Sequence, residues 1–240
     1  MKKGWFAFDL PGYREYPVAT TYGMFPYDEL PLVTGLPDDF SWLAQAHAHE
    51  GSLADRFPLN DFKCDLEKDF ASVTCRLETS LPPAFTSFMH SLEFQSKVRS
   101  CTDCYLSMAD RAIRTRGATE GYLIHFLSDS QFCSHWYLHV NSLGDHFVAV
   151  SPAPYCYNDS DPQSPTYPTC NKEELDLDEE PIWFCSATFT EFVYRFWLEN
   201  EIWYALQLER RPLTDEEQAY VSHYKSIPSI LSPDSIQTDS

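Results

Sequence analysis

The chain has 240 residues, 43% hydrophobic and 15% aromatic, which suits a packed core and excludes a fully disordered chain. Seventeen basic residues face 36 acidic ones, for a formal net charge of −19. Phosphate backbones and anionic lipid repel such a chain, so no nucleic-acid and no membrane partner is expected. Glycine occurs only 8 times. Glycine-rich phosphate loops are therefore disfavoured, and nucleotide enzymes with them.

Asp9, Pro11, Arg14 and Glu15 interrupt any apolar region after Met1-Lys2-Lys3, so no signal segment is read there. No stretch approaches the ~18 apolar residues of a membrane span. A soluble, cytoplasmic chain is the expectation. The cysteines are Cys64, Cys75, Cys101, Cys104, Cys133, Cys156, Cys170 and Cys185. A long chain rich in core residues does not need the disulfides of small secreted scaffolds, so these read as free thiols.

Residues 1–35 are rich in aromatics and broken by Pro11, Pro17, Pro26 and Pro31, which predicts an irregular arm packed across the core. Phe40, Leu43 and Ala44 predict a short helix within 37–50. Leu66, Phe70, Val73 and Leu77 form the stripe of a helix over 66–78. Leu81-Pro82-Pro83 ends it, and Pro83 suits the first turn of a new helix carrying Phe85, Phe88, Met89 and Leu92.

Tyr122 to Leu127 then reads as a strand, apolar on nearly both faces. Residues 135–140 and 146–151 alternate around Asn141-Ser142-Leu143-Gly144-Asp145, a hairpin signal. If Val140 opposes His146, then Trp136, Leu138, Val140, Val148 and Val150 share the core face. His135, Tyr137, His139 and Phe147 share the other. Residues 181–185 predict another short strand.

Residues 152–180 hold five prolines and then six acids in eight residues, Glu173, Glu174, Asp176, Asp178, Glu179 and Glu180. Unneutralised acids resist burial, which predicts a solvated loop. Thr188-Phe189-Thr190-Glu191 opens a helix to about Leu206, with a capping box and a Glu191–Arg195 pair. A second capping box, Thr214 to Glu217, opens a last helix through Tyr224. Residues 226–240 read as a disordered tail. No internal repeat is visible. Residues 1–120 carry a net charge of −5 and residues 121–240 a net charge of −14, so the acidity is concentrated late in the chain.

Catalytic motifs are sparse. Cys101-Thr102-Asp103-Cys104 is the one C-x-x-C, and no second ligand pair completes a zinc site. His135 and His139 share a face but lie about 13 Å apart along a strand, too far to hold one metal together. His47 and His49 diverge on a helix, and His49-Glu50 lacks the second histidine of a zincin motif. The histidines therefore read as surface and hairpin groups that titrate near neutrality. There is no G-x-S-x-G, no Walker loop and no G-x-G-x-x-G. Asp145, His146 and Ser151 have triad residue types without a readable triad geometry. The acidic run lacks the glycine and closing glutamate of an EF-hand loop.

The order of pieces resembles the SUKH superfamily. Leu81-Pro82-Pro83-Ala84-Phe85 followed by Phe88-Met89 is similar to its entry motif. Gly121 to Leu127, Trp136-Tyr137-Leu138 and Gly144 to Pro152 fit its strands. Ile182-Trp183-Phe184-Cys185 and then Phe189 to Leu206 look like its closing strand and helix, with Ala187 to Val193 in place of the "sF.eFl" pattern. The resemblance spans about residues 60–206. The glycine pair common in the family after the Leu-Pro-Pro helix is absent between Met89 and Ser100. Residues 1–35 and the acidic loop are additions to the family core.

The resemblance implies an α+β fold: a mixed or antiparallel sheet of about five or six strands with N-terminal and C-terminal helices packed on it. One domain is expected at 36–225, with the arm at 1–35 and an acidic insertion at 152–181. The superfamily includes yeast Smi/Knr-type cell-wall assembly regulators and bacterial immunity proteins that cover toxins, often nucleases. It therefore implies a non-catalytic protein-binding module of the immunity type, with a basic toxin domain as partner. No cofactor and no metal are expected, and the chain would be a monomer or weak dimer. The candidate partner-binding residues are Glu173, Glu174, Asp176, Asp178, Glu179, Glu180, Glu199 and Glu201. An intracellular regulator or scaffold is the alternative, followed by a thiol or metal enzyme using Cys101, Cys104 and His125.

Overall fold

Alternating side chains on a central hairpin build the middle of the molecule. The structure is a computed structural model and describes residues 1–16, 21–56, 66–155 and 172–225. The expected disordered tail lies outside these residues, as does most of the acidic insertion. The strands are β1 (Lys2–Lys3), β2 (Trp5–Ala7), β3 (Gly23–Phe25), β4 (Tyr105–Leu106), β5 (Ile113–Arg116), β6 (Gly121–Ser128), β7 (His135–Val140), β8 (His146–Ser151), β9 (Glu174–Asp176) and β10 (Trp183–Ser186). The helices are α1 (Leu66–Thr74), α2 (Pro83–Met89), α3 (Leu92–Ser96), α4 (Phe189–Tyr204) and α5 (Asp215–Lys225).

The fold is α+β. One sheet runs in the order β1-β10-β8-β7-β6-β5-β9, with β4 also paired to β6; β2 and β3 form a separate pair. Strands β5 to β8 and β10 pair antiparallel, while β1 and β9 join parallel at the two edges. The sheet exceeds the expected five or six strands because the arm and the acidic segment each contribute an edge strand. The β7–β8 hairpin has the anticipated register, with Val140 opposite His146. Gly144 turns it at φ 86°, a backbone conformation that costs glycine little.

One sheet face packs under helices. Trp136, Leu138, Val140, Val148 and Val150 meet Phe85 and Phe88 of α2 and Phe189, Phe192 and Phe196 of α4. Phe85 and Phe189 contact edge to face at 4.9 Å between ring centres, and Phe126 reaches Phe192 at 5.4 Å. Such pairs add about 0.5–1.5 kcal/mol each to the area they bury. The other face is also covered. Ile113, Leu123, Tyr137 and Ala149 pack against Tyr155, Leu175, Leu177 and Ile182. Residues 177–182 cross beneath the sheet from β9 to β10.

One capping box forms in full and the other in part. Thr214 Oγ1 accepts from Glu217 N at 3.2 Å, and Glu217 Oε2 accepts from Thr214 N at 2.7 Å. At α4, Thr188 Oγ1 accepts from Glu191 N at 3.0 Å, but Glu191 reaches back one residue further, to Ala187 N. Helix α4 then continues through a π-helical turn, Ala205–Glu209, that ends at Arg210 with φ 51°.

Four expectations require correction. The helix expected within 37–50 shrinks to a 3-10 turn, Ser41–Gln45, because Phe40 adopts the left-handed conformation at φ 58°; Phe40 and Leu43 are buried there, whereas Ala44 is exposed. Leu92 is not part of the α2 stripe, since Ser91 caps a separate helix and Leu92 is exposed. The acidic run is not wholly a solvated loop. Glu174-Leu175-Asp176-Leu177 alternates, so both leucines are buried while the acids point away from the core. The arm is also less irregular than expected, contributing β1, β2 and β3 and burying Trp5, Ala7, Phe8 and Leu10.

Candidate functional site

The eight acids expected to bind a partner do not form one surface. Glu173, Glu174, Asp178 and Glu179 are exposed along β9 and the turn that follows, with Asp176 and Glu180 partly covered. Cations stand among them. Arg114 lies in register with Glu174 and Arg116 with Asp176, and Arg116 Nη2 is 3.6 Å from Glu179 Oε2. Asp178 pairs with the Met1 amine and Glu180 with Lys172. Tyr155 also donates to Glu180 Oε2 at 2.7 Å. The edge is therefore an acidic ridge partly balanced by neighbouring cations, fixed by a strand and by two buried leucines.

Glu199 belongs to the core, which removes it from any partner surface. Its Oε1 accepts from Arg14 Nη1 and Tyr220 OH, both at 2.8 Å. Its Oε2 accepts from Arg14 Nη2 at 2.7 Å and Trp5 Nε1 at 3.0 Å. Burial alone would raise its pKa, but Arg14, Trp5 and Tyr220 outweigh burial and hold it below the usual carboxylate value. This cluster ties the arm to α4 and α5.

Glu201 is likewise mostly buried, because Arg99 grips it with Nε and Nη2 at 2.7 and 2.8 Å. It lines a cleft of about 320 Å³ with Ala46, His47, His49, Arg99, Trp197, Glu209 and Arg211. Arg99 also holds Glu209 at 2.6 Å and sits 4.0 Å above the Tyr204 ring. Arg211 bonds Glu209 at 2.9 Å and takes Glu217 through both Nη atoms at 2.7 Å. Each of these carboxylates is held by an arginine, so the cleft clamps the π-helical turn to α5.

Three of the histidines are not surface groups, contrary to the sequence expectation, although the hairpin's His146 is partly exposed. His125, His135 and His139 are buried. Ser128 Oγ lies 2.8 Å from both His125 Nε2 and His135 Nδ1. Burial pushes His135 down to about 4, and burial together with His135 holds His125 well below the usual imidazole value. His139 is held by Thr119 O at 3.0 Å and is also lowered by burial. The C-x-x-C thiols lack activation. Cys104 is fully buried and pushed up to about 11, and burial raises Cys101 further. Such thiols stay protonated at neutral pH, unlike nucleophilic or metal-binding cysteines.

Among the described residues, no group of three or more His, Cys, Asp or Glu side chains is placed to hold a metal ion. No helix among them is long and apolar enough to cross a membrane. A further concave site lies where the turn after α1 meets the sheet, lined by Arg76, Leu77, Arg111, Ala112, Tyr122, Lys172 and Glu173. Sequence reading missed it because its cations come from three separate segments. In comparisons with known proteins, no family model, no curated protein and no solved structure matches the chain.

Proposed function

We propose that this chain is a non-catalytic protein-binding module of the immunity type, whose partner presents a basic surface such as the active-site cleft of a nuclease toxin. The observation that supports this reading is the ridge of Glu173, Glu174, Asp178 and Glu179, exposed on a strand and turn fixed at the sheet edge. A rigid acidic edge can steer a basic protein without ordering a loop on contact. The resemblance to SUKH immunity proteins points the same way, and the deeply buried thiols and imidazoles disfavour the enzyme alternative.

The test captures partners from the native host with the wild-type chain and with a variant carrying Glu173→Gln, Glu174→Gln, Asp178→Asn and Glu179→Gln. Association rates of the captured partner are then measured across a salt series. The wild-type rate should fall steeply with salt, and the variant should associate about tenfold more slowly at low salt. A rate that is flat in salt and indifferent to the four substitutions would overturn the reading.

A further inference from the structure

The arm holds to the rest of the chain by contacts that a second copy can also supply. Among the described residues, β2 and β3 pair only with each other. Phe8 and Leu10 fill the groove between α4 and α5, packing on Leu198, Ile202, Val221 and Tyr224. Trp5 and Arg14 close on Glu199, and β1 adds to the edge of β10. Tyr22 donates to Thr102 and Tyr27 to Glu191. None of these contacts is covalent, so an identical arm from another copy can make each of them.

Residues 32–36 carry the chain from arm to body. Leu30 is buried at one end and Phe40 at the other. Between them, Leu32, Val33, Thr34, Gly35 and Leu36 take part in no hydrogen bond among the described residues. Leu32 is 87% exposed, so it anchors the linker to nothing. Straightening the linker therefore breaks no hydrogen bond. Gly35 bends it at φ 73°, the left-handed region open to glycine. A Cβ at Gly35 would meet nothing within 4 Å, so the bend rests on backbone conformation alone. Pro31 and Pro37 bias Leu30 and Leu36 toward extended backbone.

Docking within one chain and docking on a second copy thus use the same contacts and differ only in the linker. Within one chain the tether gives the arm an effective concentration of about 1 mM, and Gly35 must bend. Between copies the linker runs straight, and five extended residues reach about 17 Å, enough to cross between two bodies in contact. Exchange of an identical element is a low-cost route to a closed two-fold dimer. The buried Arg14–Glu199 pair must open first, so the exchange belongs to folding.

We propose that copies of this chain exchange arms, each arm seated in the other copy's α4–α5 groove and the two linkers crossing at residues 32–36. The inference does not depend on the protein-binding reading and makes no use of the acidic ridge.

Refolding the full chain at concentrations from about 1 µM to about 1 mM, spanning the effective concentration of the tether, and sizing it by light scattering tests this. The dimer fraction should rise with refolding concentration. Gly35→Val makes the bend costly in each of the two linkers, so the concentration at which half the chains dimerise should fall about thirtyfold or more. Gly12 has φ 77° and equally open surroundings, but it lies in a turn that the arm keeps in both forms. Gly12→Val should therefore leave that concentration unchanged. A second measurement mixes Arg14→Met with nitrogen-15-labelled Glu199→Gln during refolding and counts dimers by native mass spectrometry. Exchange restores Arg14 to Glu199 in one groove and strands no charge in the other, so mixed dimers should far exceed the statistical half. Dimers that keep each arm on its own body would show no such excess. A Gly35→Val chain that stays monomeric throughout, equal shifts in the two glycine variants, or mixed dimers at the statistical half would each overturn the proposal.

Discussion

Arg14→Met removes the cation that pairs with Glu199 and leaves a buried carboxylate. The side chain of Arg14 also donates to Phe8 O at 3.0 Å and to Tyr224 OH at 2.8 Å, so the change loosens the arm as well. Breaking one partner of such a buried pair costs about 3–5 kcal/mol. For a domain of this size that is a fall in Tm of roughly 6–20 °C. The double variant Arg14→Met/Glu199→Gln removes the stranded charge but keeps a carbonyl acceptor for Trp5 and Tyr220. It should recover about 2 kcal/mol of the loss.

Acid provides a second check on the same pair. The folded pKa of Glu199 is lowered, so its stabilising effect is complete above the ordinary carboxylate value and is lost as pH falls through the folded value. In Arg14→Met burial acts without its largest counterweight, which moves that pKa upward. The deficit against wild type should therefore narrow as pH falls. Urea unfolding of the three proteins at neutral and acidic pH measures both effects. A loss below about 1 kcal/mol in Arg14→Met, typical of a surface pair, would refute the reasoning. A double variant no more stable than Arg14→Met would refute it too.

Two further predictions concern the core. The folded pKa of His135 is depressed to about 4. The stability gained from keeping it neutral is present above the ordinary imidazole value and is lost as pH falls toward that folded value, by about 3 kcal/mol in all. Its ring proton should show no NMR titration between about pH 7 and pH 5, and a midpoint near the ordinary value would contradict the buried geometry. Cys75 is exposed, whereas Cys104 and Cys185 are fully buried with raised pKa values. A disulfide reagent should label Cys75 in the native chain and label Cys104 and Cys185 only as fast as the chain unfolds; rapid native labelling of Cys104 would favour the thiol-enzyme alternative.

The elements that were legible in sequence are those specified by local pattern. Trp136, Leu138 and Val140 alternate with His135, Tyr137 and His139, which fixed the hairpin faces in advance. Thr214 and Glu217 stand at the spacing of a reciprocal cap, and the cap forms. Tertiary partnership was not legible. Phe192, Phe196 and Glu199 lie at helical spacing on one stripe of α4, a signal that Glu199 faces inward, but its counter-ion lies 185 residues away. The alternation in Glu174-Leu175-Asp176-Leu177 was masked by its acidic composition. Alternation also cannot say whether a second sheet face will be covered, so the depth of His125 and His135 was hidden.

The lock between Arg14 and Glu199 also orders events in time. Arg14 is synthesised before its partners Glu199 and Tyr224, which lie 185 and 210 residues later. During translation, Trp5, Phe8 and Leu10 emerge long before the helices that cover them. Contacts of such sequence separation form slowly, because chain closure must come before any gain from packing. Docking of the arm therefore waits on α4 and α5. Until then its aromatic surface stays open to wrong partners, the kind of exposed apolar surface that chaperones shield.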